Sequence, residues 1–338
     1  MMNFYKILFM NVLIFSTMIS ISSLSWISAW IGLEMNLLAI IPLMKMHSNK
    51  LSAEASIKYF IIQAMASSCL LFSVILSASA TFIDLESASA SAILTSSALI
   101  LKMGAAPLHF WLPEVVSGLS WGVTFIILTW QKIAPMVLLS YNLQSPTIFL
   151  PLIIILSSFF SGIQGMSQVC LRKIMAFSSI NHMGWMLSAL MSSTTLWIYY
   201  FSVYALMNMN ILIMFNKFHM FYINQLNKMT TYNKGLKFFF MLNFLSLGGL
   251  PPFIGFLPKW LTINSLVSTS HLTLSIILVT LTLMTLFLYV RITFPTITLS
   301  TSESLISPKP SPLSLWQYFS SLLVLLGLPL TFLLSSNL

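Results

Sequence analysis

Four side chains able to hold or release a proton stand where the surrounding sequence is almost entirely apolar. Glu34 lies between Trp30-Ile31-Gly32-Leu33 and Met35-Asn36-Leu37-Leu38, and Lys102, Lys132 and Lys259 each interrupt or border long runs of Leu, Ile, Phe and Met. Placing such a group at the centre of a membrane-spanning helix costs about 2.5–3.5 kcal/mol on insertion scales, so four together cost on the order of 10 kcal/mol. Something must offset that. One reading is structural: the charges pair and hold helices together, or the lysines reach along their stems to the interface, which suits Lys259 better than Lys102 and Lys132. The other is chemical: a water-containing polar track in which lysines and an acid exchange protons. Moving Glu34 toward or away from a lysine would then switch that lysine between holding and releasing its proton.

Helix-breaking residues sit beside these charges. One run reads Lys102-Met103-Gly104-Ala105-Ala106-Pro107-Leu108-His109-Phe110-Trp111-Leu112-Pro113-Glu114, and another reads Gly248-Gly249-Leu250-Pro251-Pro252-Phe253-Ile254-Gly255-Phe256-Leu257-Pro258-Lys259-Trp260. Proline lacks a backbone donor and clashes with the preceding turn, so interruptions are expected near 102–113 and 248–259. Irregular backbone at membrane depth is tolerated only inside protein or beside water, so freed carbonyls and half-helix ends there can line a hydrated site. Three further residues carry two readings each. His182, in Asn181-His182-Met183-Gly184-Trp185, is either a hydrogen-bonded core residue or a proton carrier. His109 has the same two readings. Glu114 is either a solvated loop acid or a group through which protons enter.

The elements that must position these residues follow from composition. The chain has 338 residues, of which 58% are hydrophobic and 6% charged, and its mean hydropathy is +0.94. A soluble fold of this size cannot solvate its surface with so few charges. The apolar stretches are continuous, without the alternation of a membrane β-barrel, so helices are the remaining way to span a bilayer. At about 20 residues per span the chain has material for about ten to twelve. Polar interruptions divide it into eleven: about 4–23, 25–44, 56–79, 90–112, 118–141, 148–169, 174–193, 196–216, 238–257, 271–294 and 315–335. With that count, twelve of the fifteen basic residues fall on one side of the membrane and none on the other, which instead carries Asp84 and Glu86. The positive-inside rule then places the amino terminus on the cytoplasmic or matrix side.

The interrupted spans are the fourth and the ninth, five apart. A repeat of an odd number of spans is inverted in the membrane, and paired Gly/Pro-broken helices at matching positions of inverted repeats point to a transporter's ion site. The expected architecture is an all-α polytopic membrane protein with two inverted five-helix repeats, 1–141 and 146–295, a loop at 296–314 and a final helix over 315–338. Two cysteines, Cys69 and Cys170, cannot build a disulfide framework, an iron–sulfur cluster or a thiolate zinc site alone. The net charge of +9 reads as membrane topology rather than nucleic-acid binding. No nucleotide-binding glycine motif and no removable signal peptide is evident, so no cofactor, metal or nucleic acid is expected on this chain.

The stretches Lys102 to Glu114, Thr129-Trp130-Gln131-Lys132-Ile133-Ala134-Pro135, Ser178 to Trp185 and Leu247 to Trp260, with Gly32-Leu33-Glu34-Met35-Asn36, run in order along nearly the whole chain. They resemble the subunit 2 family of mitochondrial NADH:ubiquinone oxidoreductase, respiratory complex I, in its short animal form. The resemblance implies an antiporter-like, proton-translocating core subunit of the membrane arm. Glu34 and Lys102 match that family's charged pair, Lys132 its central connecting lysine, and Lys259 the lysine of its second broken helix. It also implies that NADH, FMN, iron–sulfur clusters and ubiquinone are handled by partner subunits. The implied partners are neighbouring antiporter-like and small hydrophobic subunits, with inner-membrane lipids such as cardiolipin. The implied location is the mitochondrial inner membrane, the amino terminus in the matrix and the carboxyl terminus in the intermembrane space. Related pumping subunits carry charges in later helices of the second repeat, whereas the tenth span here has only Arg291 at its end, leaving the exit path with little support. Two rival functions stand beside this one: a free-standing cation/proton antiporter and a purely structural membrane scaffold.

Overall fold

A computed structural model describes residues 4–45, 49–80, 85–143, 148–226, 234–251 and 253–298, with the isolated positions 322 and 327. The expected loop at 296–314 and last helix over 315–335 therefore lie essentially outside the described residues, as do Asp84, Lys228 and Lys309. Among the described residues the fold is all-helical, and seven helical stretches are long and apolar enough to cross a membrane. Two compact units divide the chain, Met1–Ile153 and Ile154–Leu338.

The first unit contains α1 (Phe4–Ile21), α2 (Trp26–Met44), α3 (Lys50–Ala80), α4 (Leu85–Met103), α5 (Trp111–Gly118), α6 (Trp121–Leu128) and α7 (Trp130–Ser140). α1 and α2 form a hairpin through the tight turn expected at Ser22–Ser25. Ser25 caps α2 in a reciprocal pair with Ser28, supplying acceptors to amides the first helical turn leaves open. A Cβ on Gly32 would come within 2.8 Å of the Ser20 nitrogen, so glycine sets how closely the two helices approach. α3 packs on α2, α4 and α5.

α8 (Phe149–Met166) crosses the boundary, and the second unit continues with α9 (Leu171–Ser192), α10 (Thr194–Lys217), α11 (Lys234–Gly248), α12 (Phe256–Ser268) and α13 (Leu272–Thr298). α9 is absent from the seven candidate spans, yet Ser178, Ser179, Asn181, His182 and Ser188 on it are all buried. Packing explains this: α10, α12 and α13 contact α9, so protein rather than lipid meets its polar side chains. A short antiparallel bridge between Cys170 and Tyr222 ties the start of α9 to the segment after α10.

Three local differences from the sequence-based boundaries matter. α4 stops at Met103 rather than near 112, and the ninth span continues as α12 to Ser268 rather than ending near 257. The expected fifth span is also interrupted, because α6 ends at Leu128 and α7 begins at Trp130 around a distorted Thr129 (φ −118°, ψ −72°).

Both glycine-rich breaks begin the same way. Gly104 and Gly249 take left-handed conformations, φ 73° and 78°, and the following amide reaches back five residues in each case, Ala105 to Ile100 at 3.3 Å and Leu250 to Leu245 at 3.4 Å. This is a Schellman-type cap, which only glycine adopts without strain. Gly104→Ala should therefore cost about 1–2 kcal/mol, worsened by Leu112 Cδ1 only 2.8 Å from the added methyl. Faster amide hydrogen exchange over residues 100–112 would register it. Gly122→Ala, whose methyl meets nothing within 4 Å, should be neutral or stabilising. Equal behaviour of the two variants would contradict the assignment.

Candidate functional site

In the first unit, α4 delivers Lys102 in its last turn, 6% exposed. The cap and two side chains absorb the carbonyls of that turn: Trp111 Nε1 donates to the Leu101 oxygen at 3.1 Å, and Gln63 Nε2 to the Lys102 oxygen at 3.3 Å. Lys102 lines a cavity of about 10 Å³ with Asn36, Tyr59, Gln63, Gln131 and Pro135, roughly the space one water needs. Gln131 Nε2 donates to Asn36 Oδ1 at 2.7 Å, and the Tyr59 hydroxyl to Gln131 Oε1 at 3.4 Å. A polar chain thus crosses from α2 through α7 to α3.

Glu34 is half-buried on α2. Its Oε1 is shielded from solvent without a hydrogen-bond partner, and its charge acts on Lys102 although the two form no direct ion pair. They lie within electrostatic reach and outside contact, so a small movement of either changes the coupling. Lys132 is 1% exposed on α7, the helix that packs on α4. It follows the Thr129 distortion directly, its amide donating to the Thr129 oxygen at 3.1 Å. Pro135 has no N–H to offer the Gln131 carbonyl one turn earlier, so α7 is irregular where the lysine sits.

His109 is fully buried within the first break, where Nδ1 lies 3.3 Å from the Pro107 oxygen and the ring stacks on Phe110. Glu114 is bound at the surface: Lys58 Nζ donates to Glu114 Oε2 and pairs with Glu54 Oε1, both at 2.9 Å. The three groups tie α3 to α5.

In the second unit, α12 folds its first turn back onto the end of α11. Lys259 Nζ donates to the Gly248 oxygen at 2.8 Å, so an ammonium meets the negative end of a half-helix. The same Nζ stands 5.8 Å from the Trp185 ring centre, within cation–π range. Gly255 makes the approach possible, because a Cβ there would lie 1.9 Å from the Ser246 oxygen. His182 shares a 3.0 Å hydrogen bond with the Tyr200 hydroxyl through Nδ1. Asn181 donates to Thr285 Oγ1 at 3.2 Å, while its Oδ1, Trp185 Nε1 and both amide atoms of Asn243 are buried without partners.

The structure thus assembles Glu34, Lys102 and Lys132 in one unit, and Lys259 with the Trp185 and His182 helix in the other. Sequence reasoning did not single out Tyr59, Gln63, Gln131, Asn36 or Tyr200. Gln63 could have been found as an amide inside an apolar run; the others needed their neighbours to be known. Among the described residues no group of three His, Cys, Asp or Glu side chains is placed to hold a metal.

Comparison with known proteins places this geometry. A family model described as NADH:quinone oxidoreductase/Mrp antiporter, TM, matches residues 23–285. NADH-ubiquinone oxidoreductase chain 2 of Anopheles gambiae is 49% identical over 267 residues, 78% of each chain. A chain of respiratory complex I from Thermus thermophilus superposes with a TM-score of 0.86 at 22% identity, over 96% of this chain and 78% of that one. A chain of the Mrp complex from a Dietzia species gives 0.72 at 16% identity, over 90% and 61%. At such identities the likeness establishes the fold.

The Asn36–Gln131 link predicts that the costs of replacing its two members do not add. Gln131→Leu or Asn36→Leu alone leaves a buried amide unpaired and should cost about 1–3 kcal/mol, whereas the double substitution removes both partners and should cost less than the two singles added. Thermal unfolding of the purified protein with its native partners checks this; additive losses would show that the two amides do not interact.

Proposed function

We propose that this chain, which belongs to the NADH:quinone oxidoreductase/Mrp antiporter transmembrane family, is the antiporter-like subunit 2 of the membrane arm of mitochondrial respiratory complex I, and that it moves protons across the inner membrane. The observation that carries the reading is the pair of matched helix breaks, each opened by a left-handed glycine and each holding a buried lysine, with Lys259 seated on the Gly248 carbonyl. Ion sites of inverted-repeat transporters are built this way.

In this reading eleven spans form two five-span repeats and a final helix, and the second repeat threads the membrane in the opposite sense. The amino terminus faces the matrix and the carboxyl terminus the intermembrane space. Glu34 modulates Lys102 by distance. Lys102 exchanges protons through the small cavity beside Gln131, and Lys132 and Lys259 carry the charge onward. Glu114 and His109 have accessory parts: the first at the matrix face, held by Lys58, and the second inside the first break. Moving one charge against 100 mV costs about 2.3 kcal/mol, so the driving energy must come from elsewhere. The relatives are named NADH-ubiquinone oxidoreductase chain 2, which supports NADH oxidation and ubiquinone reduction as the source; in this reading those steps, with FMN and iron–sulfur clusters, belong to partner subunits. Anionic inner-membrane lipids such as cardiolipin suit the basic matrix face.

The test uses the assembled complex in sealed inner-membrane vesicles. Lys132→Met should lower the protons moved per NADH oxidised, while electron transfer in uncoupled vesicles continues. Glu34→Gln should do the same to a smaller extent. Unchanged stoichiometry in both variants would leave the chain a scaffold. Sodium-dependent proton exchange by the isolated chain would identify a free-standing antiporter instead.

A further inference from the structure

Resting on that reading, we propose that Asn36 and Gln131 form a strut between α2 and α7. A shift of α2 that alters the hold of Glu34 on Lys102 then also moves the wall of the cavity beside Lys102 and the first turn of α7, which carries Lys132. Gln131 is in this sense a positioning residue: it carries no proton and sets where two proton-carrying groups stand.

The strut is short and its ends are fixed. Gln131 Nε2 donates to Asn36 Oδ1 at 2.7 Å, and Gln131 Oε1 accepts from the Tyr59 hydroxyl at 3.4 Å, so both ends of one planar amide are engaged and its orientation is set. Asn36 and Tyr59 are buried, where such bonds meet little competition from water. Asn36 stands two residues from Glu34 on α2, about 3 Å along the axis, and Gln131 is the chain neighbour of Lys132. Asn36, Tyr59 and Gln131 line the water-sized cavity together with Lys102. One contact therefore touches the helix of the acid, the space beside the first lysine and the backbone of the second.

α7 is built to yield at this end and to hold at the other. Its first turn follows the distorted Thr129, where the Lys132 amide reaches back three residues at 3.1 Å in place of the regular four, a tighter and weaker arrangement. Pro135 then gives the Gln131 carbonyl no N–H. At the far end the Tyr141 hydroxyl donates to the Ile21 oxygen at 3.5 Å and Asn142 Nδ2 to the Ala92 oxygen at 3.1 Å, which anchors that end to α1 and α4. Tyr141 lies ten residues from Gln131, about 15 Å along the helix. α2 packs on α1 and α3, whereas α7 packs on α1, α4 and α6, and the amide pair ties α2 directly to the start of α7. Pulled at Gln131 and held near Tyr141, α7 carries Lys132 with it.

Gln131→Ser cuts the strut and leaves a polar, roomier cavity, so water access to Lys102 is kept; Asn36→Ser cuts it from the other side. In sealed vesicles of the assembled complex, at measured complex content, each should lower protons moved per NADH by as much as Lys132→Met does, while uncoupled NADH oxidation continues. The double serine variant should be no lower than either single, since a strut is cut only once. Asn36→Gln with Gln131→Asn exchanges the two amides, keeps their combined reach and should recover most of the ratio. A role in packing alone predicts the opposite order, because the exchange disturbs the fit of two side chains. Full stoichiometry in both serine variants overturns the strut, as does an exchanged pair that stays as low as they are while Lys132→Met is low; the pumping reading survives either result. Full stoichiometry in Lys132→Met as well removes the reading on which the strut rests. Should one serine variant block assembly, the other takes its place, and should the exchanged pair block it, a double serine variant lower than both singles overturns the strut.

Discussion

An ammonium in a hydrocarbon slab has to be met by dipoles that the protein supplies, and this chain supplies them by ending helices early. Lys259 is held by the carbonyl that α11 exposes when Gly249 turns left-handed. The residue one turn later is Pro252, which has no N–H, so even a continued helix would have left that oxygen without an amide, and it is free to accept from the lysine. The break, the close approach at Gly255 and the Trp185 ring all serve one contact. In the first unit the same cap releases the carbonyls that Trp111 and Gln63 occupy, so Lys102 is left to face a small polar cavity and the charge on Glu34.

The two units therefore solve one electrostatic problem in two ways. A lysine bonded to a helix end is firmly placed. A lysine beside an uncontacted carboxylate and a water-sized cavity is loosely placed, and its state responds to small displacements of Glu34 on α2. Such a contrast suits a device in which one charge responds to a signal and another hands a proton on. Burial without close pairing costs stability, and the surrounding amides of Asn36 and Gln131 offset part of that cost.

Much of this arrangement was legible in the sequence because its causes are local. Continuous apolar runs imply spanning helices. Gly104 and Pro107, or Gly249 and Pro251, announce interruptions, and a lysine inside such a run stands out by charge alone. The Ser22–Ser25 and Ser192–Thr195 interruptions were likewise correct places to divide long apolar runs, since serine caps the helix that follows each. What could not be read depends on three-dimensional neighbours. The distortion at Thr129 is one residue wide and leaves the hydrophobic pattern intact. Gln131 and Asn36 are 95 positions apart, and an amide in isolation reads as an ordinary polar residue. α9 reads from the sequence as a span over about 174–193, yet it is absent from the seven most apolar stretches; the helices that wrap its polar residues are what only packing reveals. Glu114 reads from the sequence as either a solvated loop acid or a proton entry group, and its partner Lys58, 56 residues away, is visible only in the fold.

The central claim is that water meets the buried lysines inside the protein. It is tested most directly by a density map of the assembled complex fine enough to place individual waters. The account predicts a water within hydrogen-bond distance of both Lys102 Nζ and the Gln131 amide, and others beside Lys259. A dry interior, with Lys102 closed directly onto Glu34 and Lys259 enclosed by packed apolar side chains, would contradict it.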